Sequence, residues 1–490
     1  MAQAPDCYEG FGAITKGALD APGGYDIYHV TSLADDVGET LSGDYQGVEG
    51  QLRHACRSAS GSRYVVFDVA GTIKLNQPIR IRKPYMTIDG STAPSPGITV
   101  DVGGEAFEVE TWSGSKNHDI IINNIRFTGP GNGKGYDILS ITADNGKIYN
   151  VIIDHCTATT VGDGIDATGD VTNITMSWNF FHHNTLNCLA KYGSVEEPMD
   201  GISYHHNVFA KNEERQLNIG ENLVTLDFVN NVVYGWDFLG GMKINFIPGT
   251  PSPNFNMTNN YYYMWENGFY DLPEHAVTFL RNGASTHVPD ANSVYYFSGN
   301  IFPVGETDDV STGSRLTIPA WAEVTTYSAS TLGDTVVPYA GTHYPTQAEQ
   351  TLLNEVSIAI GGNGYPSSPN PTNGQIIMIT ENEGIPPVDN NFDIKPVMGD
   401  TVVLKFREQN PDRTTSFTAI PAPGLAFDVS EPNSLQLSFT TAGLGVKIIE
   451  FDAQVIKPYL NKKERFTVSV EAIEVLHPDL LMFVQNGEGD

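Results

Sequence analysis

Residues 150–220 read NVIIDHCTATTVGDGIDATGDVTNITMSWNFFHHNTLNCLAKYGSVEEPMDGISYHHNVFAKNEERQLNIG. Three β-rich runs, VIIDH, NITMSWNFF and GISYHHNVF, follow one another, and each ends near an Asn or His before a polar turn. Asp163 and Asp166 share one turn, and Arg215 stands in a later one. A stack of strands would carry these three groups onto one outer face.

The same texture extends outward in both directions. From about Ile79 to Phe302 short strands recur, and their closing polar residues align as Asn124, His155, Asn179, Asn207, Asn231, Asn260 and Asn300. Most of the gaps lie in the twenties to low thirties, which is one irregular coil of a solenoid per repeat. Asn side chains at equivalent turns can hydrogen-bond from coil to coil. A β-sandwich is the competing architecture. Its strands return in hairpins about every 8–12 residues, and NG or DG turns are scarce here.

The ends differ from the middle. QLRHACRSA is an early helix with Leu52 and Ala55 on one face, suited to cap the first coil. PTQAEQTLLNEV is a second helix, with Ala348, Leu352, Leu353 and Val356 at helical spacing. GGNGYPSSPNPTNG, 361–374, reads as a linker. Beyond it, about seven alternating strands read as an immunoglobulin-like β-sandwich. The expected organisation is all-β: a right-handed parallel β-helix over 7–365, a linker over 366–374, and an Ig-like module over 375–490.

Lys and Arg number 27 against 58 Asp and Glu, a net charge of −31. That balance disfavours nucleic acid and anionic membrane as general partners. No apolar run reaches the roughly 18–20 residues of a membrane span, and MAQAPDCYEGFG does not have the form of a signal peptide. Cys7, Cys56, Cys156 and Cys188 show no CxxC spacing. Cys7–Cys56 and Cys156–Cys188 are candidate disulfides, with buried thiols as the alternative.

EGFGA, VTSL, LRHAC, VVFDVAGTI, TIDGSTAPSPGITV, INNIRF, YDILSI, VIIDHCT, DGIDAT, ISYHHNVFAKNEER, NNVVYGW and VPYAGT…AEQTLLNEV occur in that order. Residues 7–365 thereby resemble a bacterial-type pectate lyase of polysaccharide lyase family 1. The resemblance implies Ca²⁺-dependent eliminative cleavage of polygalacturonate, an acidic polysaccharide, by an extracellular protein. The C-terminal module would then serve attachment, for example at a cell or virion surface.

The chemistry sets requirements of its own. The C5 proton of a uronate lies beside the C6 carboxyl, so a cation on that carboxylate stabilises the developing enolate. Ca²⁺ takes several oxygen ligands in irregular geometry. The resemblance assigns the ligands to Asp137, Asp163 and Asp166, the last two spaced three apart where a spacing of four is common. It assigns proton abstraction to Arg215. Because a guanidinium is effectively always protonated, Arg215 either works in a strongly shifted state or stabilises the enolate while water moves the proton. Leu217 stands at the family's Pro position, and the second Arg is replaced by Asn218 or Gly220. Thr185 occupies the usual Lys position, leaving Lys191 and Lys243 as the candidate substrate-binding cations.

Asp154 and His155 are adjacent, so strand alternation is expected to separate them onto opposite faces, as it is for the pairs His182–His183 and His205–His206. Two other functions compete with a lyase. A non-catalytic glycan-binding β-helix would account for the missing cations. A hydrolase would need a carboxylate pair, and the NTD…DD…RIK pattern of polygalacturonases is absent.

Overall fold

In the computed structural model the chain divides into two compact units, Met1–Tyr365 and Pro366–Asp490. The structure describes most of 8–365, with its longer gaps at 131–136, 237–240, 247–252, 265–275, 286–292 and 304–310, and nine strands of the second unit by their backbone.

The first unit winds as a parallel β-helix of three strand rows, with the right-handed sense that parallel crossovers take. One row runs from Arg63–Phe67 through Asp200–His205 to Tyr295–Ser298. A second runs from Gly71–Lys74 through Phe180–His182 to Tyr261–Tyr263. The third, which carries the candidate site, includes Ile79–Ile81, Phe107–Glu110, the starts of Asp137–Asp154 and Asp163–Ser177, Leu189–Lys191, Leu217–Ile219 and Met242–Phe246.

Alternation along each strand builds the core. In the third row Ile81, Val109, Ile141, Ala167, Ala190, Ile219 and Ile244 are register partners from coil to coil. All seven are fully buried. Neighbouring strands lie about 4.8 Å apart, so each such row packs like on like and leaves the alternate positions facing outward.

The Asn ladder is present. Asn179, Asn207 and Asn231 each donate both backbone N–H and Nδ2 to the Oδ1 of the next Asn in the series, at 2.8–3.2 Å. Asn260 does the same to Asn300 at 2.9 Å. The steps are 28, 24, 29 and 40 residues. Asn124 and His155 are not rungs. They belong to a second row one residue earlier, with Trp178, His206, Asn230 and Asn259, where φ lies between 48° and 56°. Cys156 stands at the rung after His155, donating its N–H to Asn179 Oδ1 at 2.8 Å.

Those left-handed residues overturn the alternation argument for adjacent polar pairs. The Asp154 carboxylate lies 2.5 Å from His155 Nδ1. The Nδ1 atoms lie 3.0 Å apart in His182–His183 and 2.9 Å apart in His205–His206. In each pair the second residue has positive φ, so the backbone reverses instead of extending and neighbouring side chains meet. His155, Trp178 and His206 form a parallel stack, with centroid spacings of 5.8 and 4.3 Å.

Both ends of the first unit are tied to its coils. Leu52 and Ala55 of helix Leu52–Arg57 are buried as expected, and buried Arg53 grips Asp35 through two bonds of 2.6–2.7 Å. Helix Gln347–Ala359 lays Leu352, Leu353 and Val356 against Phe180, Val208 and Val232 of the second row. Ala348, expected on that face, is exposed, and Glu349 is buried in its stead. Glu349 completes a capping box with Thr346 and binds Arg126 at 2.8–2.9 Å.

Cys56, Cys156 and Cys188 are buried thiols, so Cys156 and Cys188 are not bridged. Cys156 is drawn instead toward the carbonyls of Ile122 and Asp154. Cys7 lies outside the described residues. In the second unit the nine strands form two antiparallel sheets, of five and four strands. Among the described residues no helix is long and apolar enough to cross a membrane.

Candidate active site

The outward positions of the third row form two parallel lines across the coils. Register pairing sets Arg80, Glu108, Ser140, Asp166, Leu189, Asn218 and Lys243 side by side. Two residues further along, Glu110, Thr142, Thr168 and Lys191 line up in the same way. The early end is neutralised internally, since Arg80 pairs with Glu108 at 2.7 Å and Arg82 with Glu110. The line then passes through an acid, Asp166, and ends on bases.

Asp166 is 2% exposed, and one of its oxygens accepts the Leu189 N–H at 2.8 Å. Asp137 and Asp163 are register partners at the starts of their strands. Their side chains lie outside the described residues. Carboxylates are the oxygen donors that a hard divalent cation takes. The oxygen-only donor set suits Ca²⁺.

Lys191, Arg215 and Lys243 share one electrostatic neighbourhood. Burial lowers the affinity of the Lys191 ammonium for its proton, Glu221 opposes that, and Arg215 and Lys243 lower it further. Room for Lys191 comes from Gly220, where a Cβ would stand 2.8 Å from Lys191 Cε. Lys191 Nζ sits over the ring of Tyr192 at 5.4 Å from its centroid. Tyr192 is 61% exposed at φ 70°. A non-glycine residue in the left-handed region is strained by on the order of 1 kcal/mol.

Arg215 occupies the turn before strand Leu217–Ile219, also left-handed at φ 56°. Its carbonyl accepts from Cys188 N–H at 2.9 Å, which fixes the turn to the preceding coil. Lys243 is buried and pairs with Glu214, so Glu214 is engaged one residue from Arg215. Sequence reasoning found the three cations but missed Tyr192, the pairing of Glu214 with Lys243 and the space over Gly220. The dipeptide KY and the Gly in NIG were visible, but the register that brings them together was not.

Against known proteins, no family model matches the chain. A probable pectate lyase C of Aspergillus flavus is 32% identical over 298 residues, 59% of this chain and 59% of that protein. A probable pectate lyase C of Aspergillus terreus is 30% identical over 346 residues, 69% of this chain and 68% of the relative. The chain belongs to the pectate lyase family. It spans about six tenths of the length of the A. flavus relative. The cedar-pollen allergen jun a 1 covers 69% of the chain at 19% identity, with a TM-score of 0.48. Within this pectate lyase-like β-helix, the outward positions of the third row carry Asp166, Lys191 and Lys243.

Proposed function

We propose that the protein cleaves polygalacturonate, or a related uronate polymer, by Ca²⁺-dependent β-elimination. The observation that supports this most is the convergence of Lys191, Arg215 and Lys243 on the row that also carries the acids, in a chain of net charge −31. A local basic patch on an acidic protein is a binding feature for an anionic chain, because charge elsewhere is screened beyond roughly 8 Å at physiological salt.

Asp137 and Asp163 would hold the Ca²⁺, with Asp166 beside them. When bound, the ion supplies charge that acidifies the C5 position of the uronate. Arg215 is the residue assigned to the reacting centre. Either Arg215 in a neutral, shifted state takes the C5 proton, or its fixed positive charge stabilises the developing enolate while an adjacent water takes the proton, as the C4–O bond to the leaving residue breaks. Lys191 contacts the substrate carboxylate, and its position over Gly220 lets it take the place of the missing second Arg. Lys243, held by Glu214, adds positive field more than direct contact.

The wider organisation follows the same reading. Residues 7–365 are the catalytic domain, 366–374 a linker, and 375–490 an Ig-like module for attachment outside the cell. The test is incubation with polygalacturonate, with Ca²⁺ or with chelator. Chelator-sensitive ultraviolet absorbance of an unsaturated product is expected. Reducing ends without absorbance would mean a hydrolase, and binding without either would mean a glycan-binding protein.

A further inference from the structure

A second group of ligands lies on the first strand row, apart from the acids of the candidate active site. One ring nitrogen each of His205 and His206 and a carboxylate oxygen of Glu9 lie within 4.8 Å of one another. His205 and His206 are 1% and 0% exposed, while Glu9 is half-buried. We infer that Glu9, His205 and His206 form a binding site for a borderline divalent cation of the Zn²⁺ type.

The two rings constrain where each can carry its proton. His205 Nε2 faces the Glu9 carbonyl at 3.3 Å, which can only accept, so the His205 proton belongs on Nε2. His205 Nδ1 is then a lone pair, 2.9 Å from His206 Nδ1. If His206 carries its proton on Nδ1, the Nδ1 pair is satisfied but buried His206 Nε2 is a lone pair with no donor. If the proton is on Nε2, two lone pairs face each other and the buried N–H has no acceptor. Each neutral arrangement strands a buried polar group. A cation on the two Nδ1 lone pairs removes the conflict between them and leaves the His206 proton on Nε2. Tetrahedral bonds of 2.0–2.1 Å would separate the nitrogens by roughly 3.3 Å, a small parting of the rings.

The donor set selects the ion. Two imidazoles and one carboxylate suit Zn²⁺, and the neighbouring transition metals by the same ligand preference. Ca²⁺ requires oxygen ligands and does not fit. The path to solvent lies on the side of Glu9, whose carboxylate accepts from Thr325 N–H at 3.0 Å and from the Thr325 hydroxyl. Thr325 is exposed. Bound metal would therefore fasten the N-terminal segment and the segment around Thr325 to the coil of His205.

The experiment is isothermal titration of Zn²⁺ into chelator-treated full-length protein, with melting followed in parallel. One saturable site and a raised Tm are expected. Glu9→Gln should weaken binding at least tenfold and abolish the Tm shift, with an unchanged circular dichroism spectrum. That variant avoids removing a buried ring. His29→Ala removes the exposed His29–Asp68 pair, an adventitious zinc site elsewhere, and should change neither. No saturable binding by the unaltered protein would overturn the inference. So would unweakened binding by Glu9→Gln, or loss of binding in His29→Ala.

Discussion

Arg215 is held where a long side chain ordinarily would not sit, at φ 56° in a turn pinned by Cys188. Left-handed backbone costs a non-glycine residue on the order of 1 kcal/mol, and Arg215 in this turn adds to the positive field at Lys191. Removing a group that stabilises transition-state charge typically costs 10²–10³ in rate. Arg215→Ala is accordingly expected to lose about 10²–10³ in kcat on polygalacturonate while melting within a few degrees of the parent. A different residue reports on burial alone. Asp227 is buried with one carboxylate oxygen lacking a partner, and burial pushes it up to about 6, against the opposing bond from Asn256. Below pH 3.8 the carboxyl is protonated in both states. As pH rises from there to about 6, the unfolded chain releases its proton first and the folded state loses about 3 kcal/mol. Asp227→Asn should flatten that part of the stability profile, measured by urea unfolding between pH 4 and 7.

At the level of elements, the Asn ladder and the Glu349 clamp hold the coils and their covering helix. Asn207→Ala would strand the Asn179 N–H, take one acceptor from Asn179 Nδ2 and remove the Nδ2 donor from the Met176 carbonyl, while the backbone N–H at 207 keeps Asn231 Oδ1 paired. The expected loss is about 2–4 kcal/mol by denaturant unfolding, from unsatisfied groups more than from lost volume. Burial alone would raise Glu349, but bonds from His182 and Arg126 outweigh it and draw the carboxyl down to about 2. That depressed group contributes stability above pH 4.5, its ordinary value, and the contribution drains away as pH falls toward 2. Glu349→Gln should cost about 3–5 kcal/mol at pH 7, because Arg126 stays buried without its partner, and should flatten the acid limb. Periodicity made the coil and the ladder legible in the sequence, since an Asn that must bond to the next coil recurs at the coil length. The left-handed row beside it was not legible. His155, Trp178, His206 and Asn230 share no residue type, only a backbone conformation, so Asn124 and His155 read as rungs and the adjacent His pairs read as separated. Ala348 failed for a related reason: helical spacing finds a buried face but cannot see that a paired acid, Glu349, fills it.

At the level of the whole molecule, the fold was legible because every coil repeats the same apolar alternation. The candidate site was legible only in part. Motifs supplied Asp137, Asp163, Asp166 and Arg215, while coil register aligned Asp166 with Lys243 and electrostatics tied Lys191 to Arg215 and Lys243. A residue such as Gly220 has no chemistry to mark it, and its role as space for Lys191 depends on a strand 29 positions away by register, as in Leu189 with Asn218. In the proposed function these groups act together in elimination, where a C–O bond breaks and no water enters. The most direct measurement is mass spectrometry of the products formed from polygalacturonate and Ca²⁺ in ¹⁸O-enriched water. Products carrying an unsaturated end and no label at the cut, and absent with chelator, are the predicted result. Label incorporated at the new reducing ends would contradict it.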